Sequence, residues 1–360
     1  MSVFGKALPI SIFGESHGEV IGLTIHQMPA GITLDFNRID HELTKRRPSS
    51  VYSTARQEPD PYRVVSGYFN NKTTGAPLTF LIENKDTISR HYQPHLLRPS
   101  TSDYTAHIKY KGFNDYRGSG HFSGRLTALI SILGAISMQL LEAKDIYTAS
   151  HILQVKDIKD KPFQNITKET LQTLLKENVP LLKPYMQKDM EEVILDAKNH
   201  LDSVGGLIET AIINVPAGIG NPMFEKVNAV ISHLISSIPS VKGIIFGDGL
   251  QMIEALGSEM NDAFQVKDQK ITTTSNHSGG IQGGITNGMP ICFKTIIKPT
   301  ASIAQVQDTI NIQTMENERH IIKGRHDPAI VYRAVHVVNQ MAAYAILECL
   351  LRENAYETIR

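Results

Sequence analysis

The chain has 360 residues, 41% of them hydrophobic, and can therefore bury a large core. Its 36 Lys and Arg residues equal its 36 Asp and Glu residues, which excludes a global field that draws in nucleic acid or an anionic membrane, so any anion site must be local. The two cysteines lack metal-ligand spacing, so we expect reduced thiols. The amino terminus lacks the basic and apolar regions of a signal peptide, which predicts a cytoplasmic protein.

The first half of the chain predicts an alternation of strands and helices. Hydrophobic periodicity indicates a strand over 20–26, a helix over 35–47 and a strand over 77–82. A helix over about 124–144 closes this half. It is short and interrupted for a bilayer span and is apolar on nearly all sides, so we expect it to be buried with cover on every face.

The second half repeats this order after a charged, proline-containing segment. Residues 157–199 are predicted to form a surface insertion that ends in an amphipathic helix from about Met186. The same succession of strand, helix, strand and closing helix then returns at 207–215, 224–238, 290–298 and 334–352.

Short motifs support a duplication. The turn Glu15-Ser16-His17-Gly18 precedes Pro29-Ala30-Gly31-Ile32, and Asp202-Ser203-Val204-Gly205 precedes Pro216-Ala217-Gly218-Ile219 at the same separation. We therefore predict one body, 1–360, built from related halves at about 1–150 and 200–360. His17 has no counterpart in the second copy, which makes it a candidate for chemistry.

The first turn allows two other interpretations. The segment from Gly14 to Gly18 matches the Gly-x-Ser-x-Gly elbow of serine hydrolases, with Ser16 as nucleophile. That elbow needs a helix directly after the serine, whereas a strand is predicted here. The other interpretation is a polar turn with an ordinary surface imidazole, and the unmatched His17 argues against it.

Basic and glycine-rich motifs offer local anion sites. In Lys45-Arg46-Arg47-Pro48, Lys45 suits a helix C-terminus, while Arg46 either does the same or forms a fork for carboxylate or phosphate. The loop before the helix at 124–144 presents Ser123 and Arg125 either to an anion or as a capping turn. Glycine-rich or charged runs at 275–284, 298–302 and 323–328 let a backbone approach a ligand closely.

These motifs together resemble the chorismate synthase family over about residues 4–352. The carrying segments are FGESHG, the RRP turn, YRGSG, SNHSGGIQGG, KPTAS and KGRHDP, in that order. The resemblance implies an α+β fold, a β-α-β sandwich with an internal pseudo-two-fold repeat and central buried helices flanked by antiparallel sheets. It also implies a homotetrameric lyase of aromatic amino acid biosynthesis that uses reduced FMN, with NADPH as a possible reductant. The implied reaction is the 1,4-anti elimination of phosphate from 5-enolpyruvylshikimate 3-phosphate, which gives chorismate.

The resemblance also implies roles for single residues. His17 would serve the leaving phosphate and Asp327 proton transfer at the flavin, with Ser16 beside them in the catalytic group, and no metal is expected. The implied substrate contacts are Arg46, Arg125, Arg325 and Ser123. The implied flavin contacts are His121, Phe122, Ser123, Gly283, Lys298, Pro299, Thr300, Ala301, Ser302 and Arg325.

The chain departs from the family pattern at several of these places. Thr101 stands where the family has a second catalytic histidine, and His121 and Phe122 replace an arginine and a serine at the flavin. An arginine expected just past the RRP turn is absent from 48–52. A slow enzyme and a non-catalytic or repurposed paralogue that binds flavin or an anionic metabolite both stay open.

Overall fold

The computed structural model describes residues 2–47, 59–324 and 326–357. Its α-helices are α1 (Phe36–Arg46), α2 (Asp103–Tyr110), α3 (Thr127–Glu142), α4 (Lys168–Lys176), α5 (Met186–Asn199), α6 (Val227–Ser236), α7 (Gly257–Met260) and α8 (Val331–Glu357). Its strands are β1 (Val3–Phe4), β2 (Ile10–Gly14), β3 (Val20–Ile25), β4 (Tyr62–Ser66), β5 (Tyr68–Phe69), β6 (Lys72–Thr73), β7 (Leu78–Glu83), β8 (Tyr147–Val155), β9 (Ile158–Lys159), β10 (Gly206–Ile213), β11 (Val241–Phe246), β12 (Phe264–Lys267), β13 (Lys270–Thr273), β14 (Ile281–Gln282), β15 (Ile285–Thr286), β16 (Ile291–Ile297), β17 (Val306–Asn311) and β18 (Glu316–Ile321).

These elements confirm the strands and helices predicted from periodicity. In the first half they are β3, α1, β7 and α3, and in the second half β10, α6, β16 and α8. Helix α1 starts where the sequence indicates because the Asp35 carboxylate accepts a hydrogen bond from the Arg38 amide at 3.0 Å. The mixture of helices and antiparallel sheets confirms the predicted α+β class.

The chain divides into two compact units. Unit 1 comprises Met1–Ile132, Lys188–Gly205 and Lys298–Arg333, and unit 2 comprises Leu133–Gln187, Gly206–Ile297 and Ala334–Arg360. The main sheet of unit 1 is antiparallel, in the order β1-β2-β3-β7-β4. Unit 2 has an antiparallel sheet in the order β11-β16-β10-β8-β9.

The two sheets share a local plan. In unit 1, β3 pairs with β7 and α1 follows β3 in the chain; in unit 2, β10 pairs with β16 and α6 follows β10. The Pro-Ala-Gly-Ile turns are closed in the same way. Thr73 Oγ1 donates to the Pro29 carbonyl at 2.6 Å and accepts from the Ile32 amide at 2.9 Å. Thr286 makes the same two bonds, at 2.6 and 3.0 Å, to the turn that begins at Pro216. This likeness supports the predicted duplication.

The charged segment between the predicted halves contributes to the core as well as to the surface. Helix α4 exposes its charged residues but buries Leu171 and Leu174 in a cluster with Tyr147 and Ala211 of unit 2. Its amphipathic pattern explains both faces, because apolar residues three apart share one side of a helix. The prediction of a helix from about Met186 is confirmed by α5.

Two described helical stretches pass the length and hydropathy test for a membrane span. They are Gly124–Glu142 and Val331–Glu353, but 78% and 94% of their apolar windows are buried. This burial is what the sequence predicts for helices that are apolar all round. In the described part of the chain both cysteines are free; Cys349 is buried and Cys292 is partly buried. Burial raises the pKa of each thiol to about 12, so neither is poised for reaction.

A buried ionic triad links strands of unit 2 to the segment after β9. His151 Nε2 lies 3.0 Å from a Glu209 oxygen, and its Nδ1 lies 3.5 Å from an Asp160 oxygen. Burial alone lowers the pKa of His151, but its hydrogen bond to Glu209 and the nearby Asp160 carboxylate outweigh that effect and leave the pKa raised. Asp160 in turn accepts from the Leu182 amide at 2.6 Å.

This triad predicts a loss of stability in alkaline solution. Because the folded-state pKa of His151 is above its unfolded value, the folded state holds the extra proton, and the stabilisation is fully present below the unfolded value of about 6.5. We expect the free energy of unfolding to fall by up to about 1.4 kcal/mol per pH unit as pH rises toward the folded pKa. Urea unfolding followed by circular dichroism measures it. A His151→Gln variant should lose this slope, and an unchanged slope would contradict the assignment.

Candidate active site

The turn that carries His17 joins β2 to β3 and is held by Asn84. The Asn84 side-chain amide donates to the carbonyls of Glu15 and Gly18, at 2.9 and 2.8 Å. The Nδ1 atom of His17 lies 2.8 Å from the Ser89 hydroxyl, and its ring meets a tyrosine ring edge to face at 5.4 Å. These contacts orient the imidazole, with one ring nitrogen engaged by a fixed hydroxyl.

Glycines in a neighbouring loop lie against this turn. Gly118 has φ +59°, and a Cβ there would lie 2.6 Å from His17 Nε2 and 2.8 Å from Ser16 Oγ. Ser16 is fully buried, and its amide donates to the Gly120 carbonyl at 3.0 Å. Strand β3 begins four residues after Ser16, so the helix that a hydrolase elbow requires is replaced by a strand. The serine hydrolase interpretation is not supported.

Arg46 and Arg125 meet at a buried carboxylate. Asp60 is 1% exposed; it bonds to Arg125 and lies 3.4 Å from an Arg46 nitrogen. Arg46 Nε also donates to Thr127 Oγ1 at 2.8 Å. Two cations and one carboxylate leave a local positive charge in surroundings that screen it poorly. Lys45, which was predicted to serve the helix C-terminus, lies in the last turn of α1 and pairs with Glu42 at 2.6 Å.

Arg98 lies in a second ion-pair cluster of unit 1. It forms a two-bond fork to Asp103, with Nε and Nη2 at 2.8 and 2.7 Å from its oxygens, and stacks over the Tyr92 ring at 5.0 Å. Thr101 donates to the Arg98 carbonyl at 2.9 Å and accepts from the Asp103 amide at 3.3 Å. Thr101 therefore bonds to the first amide of α2, at the position where the resemblance expects a histidine.

The loop before α3 presents His121, Phe122 and Ser123. His121 stacks on Phe122 at 4.3 Å, and its Nε2 lies 3.3 Å from the Tyr110 hydroxyl. Ser123 accepts from the Arg125 amide at 3.2 Å, which confirms the capping interpretation for Ser123. The Arg125 side chain that follows this cap is buried. Capping and ligand contact are compatible roles for the Ser123 hydroxyl.

Residues Lys298 to Ser302 form a polar segment of unit 1. The Lys298 ammonium donates to the Ser100 carbonyl at 2.9 Å, and Ser302 lies 3.3 Å from His326 Nδ1. Pro299 and Ala301 stand between these residues. The Thr300 hydroxyl is buried and has no hydrogen-bond partner among the described residues. An unpaired buried hydroxyl is costly, so it is suited to bond a ligand oxygen.

The second copy of the turn holds that segment. Ser203 donates to the Thr300 carbonyl at 2.7 Å, and the Val204 amide donates to the Pro328 carbonyl at 2.8 Å. Next to Pro328, the Asp327 carboxylate is buried, accepts from the Ala329 amide at 3.3 Å and forms an ion pair with Arg333.

Two cavities lie near the predicted residues, one in each unit. The cavity in unit 1 has a volume of about 70 Å³, and its lining includes Arg98, Ser302, Lys323 and His326. This volume suits a small anionic group rather than a whole flavin ring. The cavity in unit 2 has a volume of about 240 Å³ and is lined in part by Gly283, whose φ of +62° favours glycine.

The structure thus joins the turn of His17 to Arg125, Arg46 and Ser123 through hydrogen bonds, whereas His121, Asp327 and the segment from Lys298 to Ser302 have separate contacts. It also shows residues that the sequence analysis missed. Asp60, Asn84 and Ser89 hold the predicted arginines and His17. Of these three residues only Asn84 could have been noticed in the sequence, because it is a polar residue that directly follows strand β7. Arg325 and the segment 48–52 lie outside the described residues. Among the described residues no group of three or more His, Cys, Asp or Glu side chains could hold a metal ion.

Comparison with known proteins agrees with this geometry. The family model described as chorismate synthase matches residues 8–351. The chain belongs to the chorismate synthase family. It is 39% identical over 357 residues to the chorismate synthase of Pyrococcus abyssi, with 98% of each chain covered, and 39% identical over 351 residues to that of Dehalococcoides mccartyi, with 97% and 96% covered.

Structural comparison shows the same fold. A solved crystal structure of chorismate synthase matches with a TM-score of 0.76 at 23% identity, covering 97% of this chain and 93% of the other. The chorismate synthase family consists of flavin-dependent lyases that act on a phosphorylated substrate. The two guanidinium groups of Arg125 and Arg46 are of the kind that binds a phosphorylated substrate.

Proposed function

We propose that this chain catalyses the 1,4-anti elimination of phosphate from 5-enolpyruvylshikimate 3-phosphate to give chorismate, with reduced FMN. The observation that carries the proposal is a family match over nearly the whole chain together with the network that joins the His17 turn to Arg125. Nothing in the comparisons favours a non-catalytic paralogue.

The proposed roles follow from the charges of the site. His17, held at one nitrogen by Ser89, donates a proton or hydrogen bond to the phosphate as it leaves. Arg125 and the cluster behind it provide the positive field for a phosphorylated dicarboxylate. Ser16 is fully buried and holds the turn through the bond of its amide to the Gly120 carbonyl. Asp327 is proposed for proton transfer, and Arg46, Ser123 and Arg325 for substrate binding.

The residues of unit 1 fit part of a flavin. The buried Thr300 hydroxyl without a described partner, together with Lys298 and Ser302, provides donors for oxygen atoms of FMN. We propose that this segment holds the cofactor with His121, Phe122, Ser123 and Arg325. Gly283, in unit 2, is proposed separately as a flavin contact. Reduced FMN, when bound, supplies electron density to the allylic system as phosphate departs.

An anaerobic assay with photoreduced FMN tests the function. We expect chorismate, followed by its absorbance, and phosphate to appear in equal amounts. Flavin binding without either product would select the paralogue instead. Omission of light, with NADPH as the sole reductant, tests whether the chain reduces its own flavin.

Restoring the family histidine is expected to raise the rate. Thr101→His places an imidazole next to Arg98, at the start of α2, and a positioned general acid typically contributes about 10²–10⁴-fold. We expect a gain of at least about tenfold in kcat in a protein that retains FMN affinity, measured in the anaerobic assay. Thr101→Ser preserves the hydroxyl that bonds to the Arg98 carbonyl and the Asp103 amide, and it serves as the control. No gain from the histidine would show that the site no longer needs this group.

We further propose a homotetramer located in the cytoplasm. The hairpin of β12 and β13 supports self-association, because Phe264, Val266 and Ile271 lie on one face and are 69–79% exposed. Light scattering at several protein concentrations gives the mass.

A further inference from the structure

Asp60 bonds to two guanidinium groups of the proposed substrate site. Its carboxylate is buried, with one oxygen bonded to Arg125 and the other 3.4 Å from Arg46. A buried carboxylate that is bonded to two guanidinium groups fixes the geometry of both partners. These three residues bring two guanidinium groups and one carboxylate together.

Arg46 holds the turn on which Arg125 stands. Its Nη2 donates to the Gly124 carbonyl at 3.0 Å, while its Nε donates to Thr127 at 2.8 Å. The buried Arg46 side chain is therefore tied to the backbone before Arg125 and to a side chain two residues after it. Asp60 fixes the same Arg125 from its guanidinium end.

Asn84 connects Arg125 to the histidine turn. Its side-chain oxygen accepts from Arg125 Nε at 2.9 Å, while its amide nitrogen donates to the carbonyls of Glu15 and Gly18 on either side of His17. The oxygen and the nitrogen of the Asn84 side-chain amide are therefore both engaged, one with Arg125 and the other with the turn of His17. A shift of Arg125 is thus transmitted to the turn of His17 through two bonds.

We infer that Asp60 and Asn84 are positioning residues that hold Arg125 and His17 in one fixed geometry. The inference rests on the proposed function, because it assigns Arg125 to the substrate anion and His17 to the leaving phosphate. Asp60 acts through the guanidinium and Asn84 through the link to the turn. Neither side chain contacts the reacting atoms.

Asp60→Asn is the sharpest test. Asp60 has φ +50°, a backbone conformation that Asn tolerates, so the replacement removes the charge and preserves shape and backbone. We expect kcat to fall about 10²-fold, as a displacement of about 1 Å can cause, with KM changed less than about threefold. The affinity for an anion persists because the net positive charge of the cluster rises. A rise in KM with unchanged kcat would overturn the positioning role.

Asn84→Ala provides a second, uncharged variant in case Asp60→Asn fails to fold. We expect the same loss in kcat. The double variant should cost clearly less than the product of the single losses, because both act through Arg125. Independent, multiplying losses would overturn the inference. Glu192→Gln is the matched control, since it removes an exposed carboxylate of α5 that pairs with Lys188 at 3.8 Å, and it should leave kcat and KM unchanged.

A crystal structure of Asp60→Asn separates this inference from the proposed function. If the parent protein forms no chorismate, the proposed function fails, but the positions of Arg125 and His17 are still measurable. We expect the Arg125 guanidinium to move by about 1 Å or more relative to the parent structure. An unmoved guanidinium would overturn the positioning role whatever the activity.

Discussion

Replacement of His17 by alanine is expected to lower kcat by about 10²–10⁴-fold, the usual contribution of a positioned proton donor. The imidazole is the feature that the second copy of the turn lacks, and its Nδ1 is held 2.8 Å from Ser89. Since the proposed flavin contacts lie on other segments, FMN affinity should change by less than about threefold. Anaerobic turnover and flavin titration measure the two effects separately.

Ser89→Ala is the control for orientation in this experiment. It removes the hydroxyl at His17 Nδ1 but leaves the imidazole in place, so a smaller loss of about three- to tenfold in kcat is expected. Equal losses from both variants would show that orientation, rather than the imidazole itself, limits the reaction. Full activity of His17→Ala would remove His17 from the mechanism.

Gly134→Ala is expected to destabilise the protein by about 3 kcal/mol or more through overpacking. Gly134 lies in α3, and a Cβ there would stand 2.2 Å from the Gln340 Cβ and 2.7 Å from its Cα in α8. The neighbour is backbone and a fully buried side chain, so it cannot move aside cheaply. Helix propensity alone predicts the opposite sign, because Ala is favoured over Gly by about 1 kcal/mol in a helix interior.

The matched control for this packing argument is Gly257→Ala. Gly257 begins α7, and an added Cβ would meet nothing within 4 Å. We expect its free energy of unfolding to change by no more than about 0.5 kcal/mol. Urea unfolding of both variants, followed by circular dichroism, decides the matter; a Gly134→Ala protein as stable as the parent would contradict the close helix contact.

Periodicity predicted the elements because their patterns are strong and local. Strand β3 alternates and is paired on both edges, while α8 is apolar all round and buried. The short turns next to them were harder to place. Residues 223–225 form a separate 3-10 turn before α6, because the residues that end a helix are set by local bonds that periodicity does not record.

The site was predicted less completely than the fold. Histidine and arginine residues such as His17 and Arg125 can be recognised because they lie in short motifs. Asp60 and Asn84 bond to partners that are far away in the sequence. The Asp60 carboxylate, for example, contacts the guanidinium of Arg125, which is 65 positions away in the sequence. A single sequence does not record such a pair, and only the folded chain brings its charges together.

The second copy of the turn carries no imidazole, yet Ser203 and Val204 fasten two backbone segments, one of them the proposed flavin segment at Thr300. The two turns therefore have different contacts: the first presents an imidazole, and the second fastens the backbone at Thr300 and Pro328. We expect a substitution at His17 to leave these two backbone bonds of the second turn in place, so the two turns can be varied independently.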